Sequence, residues 1–204
     1  MKLRVMLLFA AICAASHVTV SADEACRDGT CASNPNDLRK VLTDSEDVAD
    51  YVVRMRRELH LQPELMWTET KTSALVKREL TAFGVSFEEV SAPGVVATIG
   101  SGSAPVVALR ADMDALPVTE ESDIPVERRS QVPGKMHACG HDGHTAMLLG
   151  AAKVLKSVEG SLRGTVRLVF QPAEEGGAGG RKMLEDGLRT VSYTHLRAHE
   201  TRYD

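Results

Sequence analysis

Apolar and polar positions along the chain change period several times. Val48, Tyr51, Val52, Met55 and Leu59 recur at helical spacing, and Pro63 stops that run. Thr43, with Glu46 three residues later, resembles a capping box ahead of it. A second helix is predicted over residues 68–83. Its apolar face is Thr72, Leu75, Val76, Leu80 and Phe83, and Gly84 ends it. Two short β-branched runs, 85–90 and 95–99, read as strands broken by Pro93-Gly94. Residues 105–109 are continuously apolar, as expected of a buried parallel strand. Residues 117–135 are polar, hold three prolines and read as a loop. A helix follows over 145–158 with Leu148, Leu149, Ala152 and Leu155 inward. Residues 165–170 form a strand ahead of Pro172. A last short helix, about 181–186, is opened by the glycines at 176–180 and closed by Gly187.

Strand, helix, strand is the βαβ pattern. The predicted fold class is therefore α/β, a mostly parallel sheet flanked by helices. The 204 residues suit one domain. Its organisation is read as a targeting segment at 1–22, an irregular polar leader at 23–44, a catalytic-type α/β unit at 45–189 and an anomalous tail at 190–204. Lys2 and Arg4 give a basic start, residues 5–15 are apolar, and Val20-Ser21-Ala22 resembles a cleavage site. The apolar run is short for a bilayer span. A cleaved secretory signal is expected, which would place the protein in the secretory pathway, secreted or in the ER lumen, with no membrane attachment after cleavage. An uncleaved anchor is the alternative. Cys26 and Cys31 could pair in that compartment or stay as thiols.

A net charge of −4 and 4% aromatic residues give no support to nucleic-acid or anionic-membrane binding. Chemistry collects in three polar clusters. Asp112 and Asp114 follow the strand at 105–109. Cys139, His141 and His144 precede the helix at 145–158. Glu174 and Glu175 follow the strand at 165–170. In a parallel sheet, strand ends and the following helix starts share one edge, where ligand sites form. Cys139 and His141, two apart in an extended segment, would face the same way. Thiolate and imidazole suit a transition metal such as Zn²⁺. The Glu175 carboxylate would add an oxygen ligand and widen the choice toward Mn²⁺. Glu174 could face the attacking water as general base. Each piece also has a plainer explanation. Cys139 could be a buried thiol, Glu174-Glu175 a solvated loop pair, Asp112 and Asp114 a cap or turn, and His60 and His144 structural hydrogen-bonding residues.

The nine residues Met136-His137-Ala138-Cys139-Gly140-His141-Asp142-Gly143-His144 resemble the hallmark of a metallopeptidase family. That family includes plant indole-acetyl-amino-acid hydrolases, bacterial hippurate hydrolases and N-acyl-amino-acid deacetylases. Arg57-Glu58-Leu59-His60 with Pro63-Glu64-Leu65, residues 109–117, Pro133-Gly134-Lys135 and residues 170–176 agree in order and spacing. The likeness runs from about 48 to 188, and Pro133-Gly134-Lys135 resembles the plant-type branch. The resemblance implies a zinc-peptidase-like catalytic domain with two divalent ions, Mn²⁺ or Zn²⁺. It implies metal ligands at Cys139, His141 and Glu175, the Cys139 thiolate being shared between the ions. Glu174 would be the general base, and Asp114 the acid that orients the site, with Asp112 flanking it. The implied substrate is a small-molecule N-acyl amino acid, and the implied assembly is a homodimer formed through a separate lid domain.

Beyond 188 the likeness stops. Residues 190–204 have no apolar period and resemble translated adaptor sequence, so the domain is expected to be incomplete on its C-terminal side. A chain ending there would lack two further His ligands, the lid and part of the sheet, and would be inactive by itself. His199 stands near where a ligand would be expected, but its neighbours do not match. Two alternatives to an IAA-amino-acid hydrolase remain: a hippurate or N-acetyl-amino-acid deacylase, and a secreted non-catalytic metal-binding module.

Overall fold

The computed structural model describes residues 35–188, and side chains from Arg39 onward. The signal segment, Cys26, Cys31 and the tail at 190–204 lie outside the described residues. Helices α1 (Pro35–Asp47), α2 (Ala49–Leu61) and α3 (Thr70–Phe83) come first. Strands β1 (Ser86–Glu89), β2 (Val95–Gly100) and β3 (Val106–Asp112) follow, then α4 (His141–Ser157), β4 (Thr165–Gln171) and the short α5 (Gly179–Met183). Among the described residues no helix is long and apolar enough to cross a membrane.

The sheet order is β1-β2-β4-β3. β3 and β4 pair in parallel across the α4 crossover, as the βαβ pattern predicts. The other two pairings are antiparallel, so the described sheet is mixed rather than mostly parallel. The reason is local. The short link around Pro93-Gly94 lets β2 turn straight back on β1, whereas a parallel partner needs a long crossover.

Alternation along the strands divides the core. Val95, Ala97 and Ile99 of β2 and Leu168 and Phe170 of β4 join Tyr51, Met55, Leu75, Leu80, Leu148 and Leu149 beneath α2, α3 and α4. Val96 and Val169 point the other way, into a smaller cluster with Val90, Met183 and Leu188. Both faces of β2 and β4 are thus covered. β3 pairs only with β4 among the described residues, and Val107 is 54% exposed. Among the described residues β3 is thus part-buried, where its continuous apolar content predicted a wholly buried strand.

Some boundaries also differ from expectation, α5 among them, which spans Gly179–Met183 rather than about 181–186. Residues 35–44 are helix, not irregular leader. Thr43 forms no capping box; its hydroxyl donates back to the Arg39 carbonyl at 3.1 Å, inside α1. α4 begins at His141, four residues before its apolar period starts, because Gly140 adopts φ +87° and turns the chain directly into the helix. Gly84 ends α3 with φ +69°, as predicted.

α2 crosses α4 closely at Gly150, where an added Cβ would lie 2.5 Å from the Val52 Cγ2 methyl. Gly150→Ala should therefore destabilise the fold by about 1–3 kcal/mol, although alanine is otherwise the better helix former. Urea denaturation measures this, and Val52→Ala in the same protein should recover part of the loss.

Candidate metal centre

The three polar clusters converge at one edge of the sheet. Asp112 closes β3, and Asp114 lies two residues beyond it, 1% exposed. His141 opens α4, and Glu174 and Glu175 follow β4. The Nδ1–H of His141 donates to the Asp114 carbonyl oxygen at 2.8 Å, and the Asp114 carboxylate lies 3.3 Å from the same nitrogen. A carbonyl can only accept, so this bond settles the tautomer. The Nε2 lone pair is left free to bind a metal. That Nε2 lies 3.8 Å from Glu174 Oε2 and 3.9 Å from Glu175 Oε1.

Two groups of donors result. Cys139 Sγ, His141 and Glu175 offer ligand atoms that all lie within 4.8 Å of one another; so do Asp112, His141 and His144. His141 belongs to both. Glu175 Oε1 and Asp114 Oδ1 are buried without hydrogen-bond partners. A sulfur, an imidazole and an unpartnered carboxylate oxygen are a donor set that fits Zn²⁺ or Mn²⁺. Cys139 and His141 meet although they do not share an extended segment as expected. The Gly140 turn brings them together instead.

Burial dominates the electrostatics, with acidic crowding beside it. Burial pushes Glu174 above the usual carboxylate range, and the neighbouring Asp112 and Glu175 charges add to it. Burial pushes the Cys139 thiol up to about 11, helped by Glu175, Glu174 and Asp112. Asp112 is also raised by burial, against the pull of Arg110, whose Nη2 donates to it at 2.5 Å. Asp114 behaves differently. Burial acts to raise it, but His141 and the backbone N–H groups of Glu175 and Glu174 hold it below its ordinary value. The Glu175 N–H donates to Asp114 Oδ2 at 2.8 Å.

Beneath this layer lies a second polar group. His60 Nδ1 donates to Asp142 Oδ2 at 2.7 Å, and its Nε2 lies 3.2 Å from the Glu120 carboxylate. Arg56 Nε donates to Asp142 at 2.8 Å. The Asp142 hydrogen bond raises His60 above its ordinary imidazole value, against burial, and the Glu120 carboxylate adds to it. This is the structural role the sequence suggested for it.

Two features escaped the sequence reading. His144 faces Asp112, with Nδ1 3.8 Å from Oδ2, and its ring stacks on His141 at 5.4 Å. The three-residue spacing of His141 and His144 carried that signal, but only once the helix is known to start at 141. Glu69 is fully buried, and its Oε1 accepts the Ala173 N–H at 2.7 Å. It sits in a polar run, Thr68-Glu69-Thr70, that reads as solvated.

Comparison with known proteins gives the family likeness of the chain. Residues 108–200 match the Peptidase family M20/M25/M40, a match that reaches into the stretch read above as an anomalous tail. The chain is 53% identical over 166 residues to IAA-amino acid hydrolase ILR1-like 5 of Arabidopsis thaliana, covering 78% of this chain and 37% of that protein. It is 48% identical over 138 residues to N-acetyl-L-cysteine deacetylase of Bacillus subtilis, covering 67% and 33%. A solved Bacillus subtilis dinuclear metal-binding peptidase of the M20 family superposes with a TM-score of 0.63 at 45% identity, over 68% of this chain and 39% of that one. The chain thus spans about a third of the length of the curated relatives it matches.

Two buried histidines should titrate in opposite directions in metal-free protein. Hydrogen bonding to Asp142 raises His60 above the ordinary imidazole value of 6.5, whereas burial lowers His137 to about 4. A raised base stabilises the fold below pH 6.5 and loses that contribution as pH rises through its folded value. A depressed one costs stability as pH falls from 6.5 toward 4. NMR of the imidazole carbons against pH should show His60 titrating above 6.5 and His137 near 4. Replacing His60 and His137 singly by Gln assigns them.

Proposed function

Because the chain belongs to peptidase family M20/M25/M40, we propose that it forms the metal-holding side of a metal-dependent amidohydrolase. The reaction is hydrolysis of the amide bond in N-acyl amino acids, with IAA-amino-acid conjugates as the first substrate class. The observation that carries this reading is the meeting of Cys139, His141 and Glu175 within 4.8 Å, with Glu174 beside the same imidazole. The similarity to an IAA-amino acid hydrolase supports the substrate class. The similarity to N-acetyl-L-cysteine deacetylase favours a second reading, a deacylase for smaller acyl groups. Both readings use the same residues and differ only in what the acyl pocket holds. On the strength of residues 1–22, we place the protein in the secretory pathway.

Cys139, His141 and Glu175 would hold the metal, Mn²⁺ or Zn²⁺, and Asp112 and His144 offer donors for a second ion. Such ions supply Lewis acidity and a water of lowered pKa. Asp114 fixes the His141 ring through Nδ1, so the orientation of Nε2 exists before any ligand arrives. Glu174 takes the proton from the attacking water and returns one to the leaving amine. Burial and like charge raise its proton affinity, which suits a general base near neutral pH.

Metal uptake by Cys139 must displace its proton, because the thiol is held near 11. Binding of Zn²⁺ should therefore release a proton at pH 7 and tighten as pH rises. Titration in weak buffer reads this release, and Cys139→Ser should abolish that proton and lower metal content.

Glu174 and Glu175 should separate by mutation in protein made from the complete coding sequence. Glu174→Gln should lower turnover of an N-acyl amino acid by about 10²–10⁴ with metal content unchanged. Glu175→Gln should lose metal first and regain part of its activity with excess Mn²⁺ or Zn²⁺. Full activity in Glu174→Gln would overturn the assignment, and metal loss there alone would reverse the two roles. Elemental analysis alongside turnover decides.

A further inference from the structure

We infer that Glu69, assisted by Trp67, is a positioning residue for the turn at 173–177 that carries Glu174 and Glu175. The inference rests on the reading of those two glutamates given above. The turn is conformationally expensive. Ala173 and Ala178 each take φ +53°, and Gly176 takes φ +93°. Non-glycine residues in this region persist only when their surroundings enforce it.

Three contacts from outside hold the turn. Asp114 Oδ2 accepts the Glu175 N–H at 2.8 Å. Glu69 Oε1 accepts the Ala173 N–H at 2.7 Å, and Trp67 Nε1–H donates to the Gly177 carbonyl at 3.2 Å. The last two come from the lead into α3, and Trp67 itself is strained at φ +64°. The fit over Gly177 is close. A Cβ there would lie 2.6 Å from Ala173 Cβ and 2.7 Å from Trp67 Nε1.

Glu69 stands at the N-cap position of α3, yet its side chain makes no capping bond. Glu64 does that work instead, accepting the Lys71 N–H at 3.1 Å and the Thr72 N–H at 2.9 Å. Glu69 is fully buried, its Oε2 has no partner, and no cation pairs with it among the described ion pairs. A carboxyl buried this way costs stability compared with an apolar side chain. Its carboxylate reaches across to the Ala173 N–H, one residue before Glu174.

The test uses protein made from the complete coding sequence and Zn²⁺ as the probe. Glu69→Ala removes the acceptor; Glu69→Gln keeps a carbonyl oxygen for Ala173. Glu69→Ala should weaken Zn²⁺ binding by about tenfold or more, the scale of outer-shell support. It should also lower kcat on an N-acyl amino acid with KM little changed. Glu69→Gln should stay close to the unsubstituted protein in both. Calorimetric Zn²⁺ titration and steady-state kinetics, run well below each variant's Tm, read these effects. Normal Zn²⁺ affinity and kcat in a folded Glu69→Ala protein overturn the proposal, leaving Glu69 with a role in stability alone. Equal impairment of the Ala and Gln variants overturns it as well. Should Glu69→Ala not fold, Trp67→Phe carries the test. Trp67 is 38% exposed, so the fold tolerates the change. Weaker Zn²⁺ binding supports the clamp, and unchanged binding overturns it. Absence of Zn²⁺ binding by the unsubstituted protein overturns the metal reading, and this proposal with it.

Discussion

Asp114 accepts a hydrogen bond from His141 through its carbonyl and one from the Glu175 N–H through its carboxylate. These bonds join elements that the chain keeps apart: the end of β3, the first turn of α4 and the turn after β4. The bond that the charged carboxylate accepts belongs to the stronger class, about 1.5–3 kcal/mol. Its contribution reaches beyond stability, because both partners sit at the proposed centre. Without Asp114 the His141 ring could rotate or change tautomer, and the Glu175 backbone would lose one anchor. The carboxylate is almost fully buried yet held ionised by these donors, which makes it the fixed charge around which the site is arranged.

The sheet provides that arrangement. Parallel pairing of β3 with β4 puts Asp112 opposite Gln171, so the segments after both strands leave from the same edge. α4 connects them and begins at that edge. Its Gly140 turn delivers Cys139 and His141 to one point. Cover on both faces of β2 and β4 holds the strand ends in place, and a packed interior transmits little slack.

Asp112, Asp114, Glu174 and Glu175 crowd one side of this edge, facing Arg110 and the histidines. Burial raises the pKa values of Glu174 and Cys139, and the close acidic charges add to it. A divalent cation reverses that logic, favouring the ionised acids and thiolate. The raised thiol and the unpartnered Glu175 oxygen are the groups whose ionised forms the proposed cation would favour.

Local chemistry was legible wherever the cause was local. The apolar periods of α2, α3 and the body of α4, the Gly84 stop, the Pro93-Gly94 break and the β-branched runs are short-range effects, and each appears close to where the residues indicated. The three chemical clusters were also readable, as was their shared edge, because βαβ geometry puts strand ends and helix starts together. What depended on tertiary contact was not readable. Antiparallel pairing of β2 with β1 and β4 follows from strand order, which apolar content does not encode. The first turn of α4 is polar because it is built for chemistry, so periodicity placed the start late and hid the His141–His144 face. Residues 35–44 hold Leu38, Val41 and Leu42 at helical spacing, a signal outweighed by the polar residues around them. Glu69 looks like any solvated acid in a Thr-Glu-Thr run, and only the arrival of Ala173, more than a hundred residues later, buries it. The sequence by itself determined which residue types and local elements are present. The tertiary structure decided which polar groups lose their water and which partners replace it, because desolvation is a property of packing and not of the neighbouring residues in the chain.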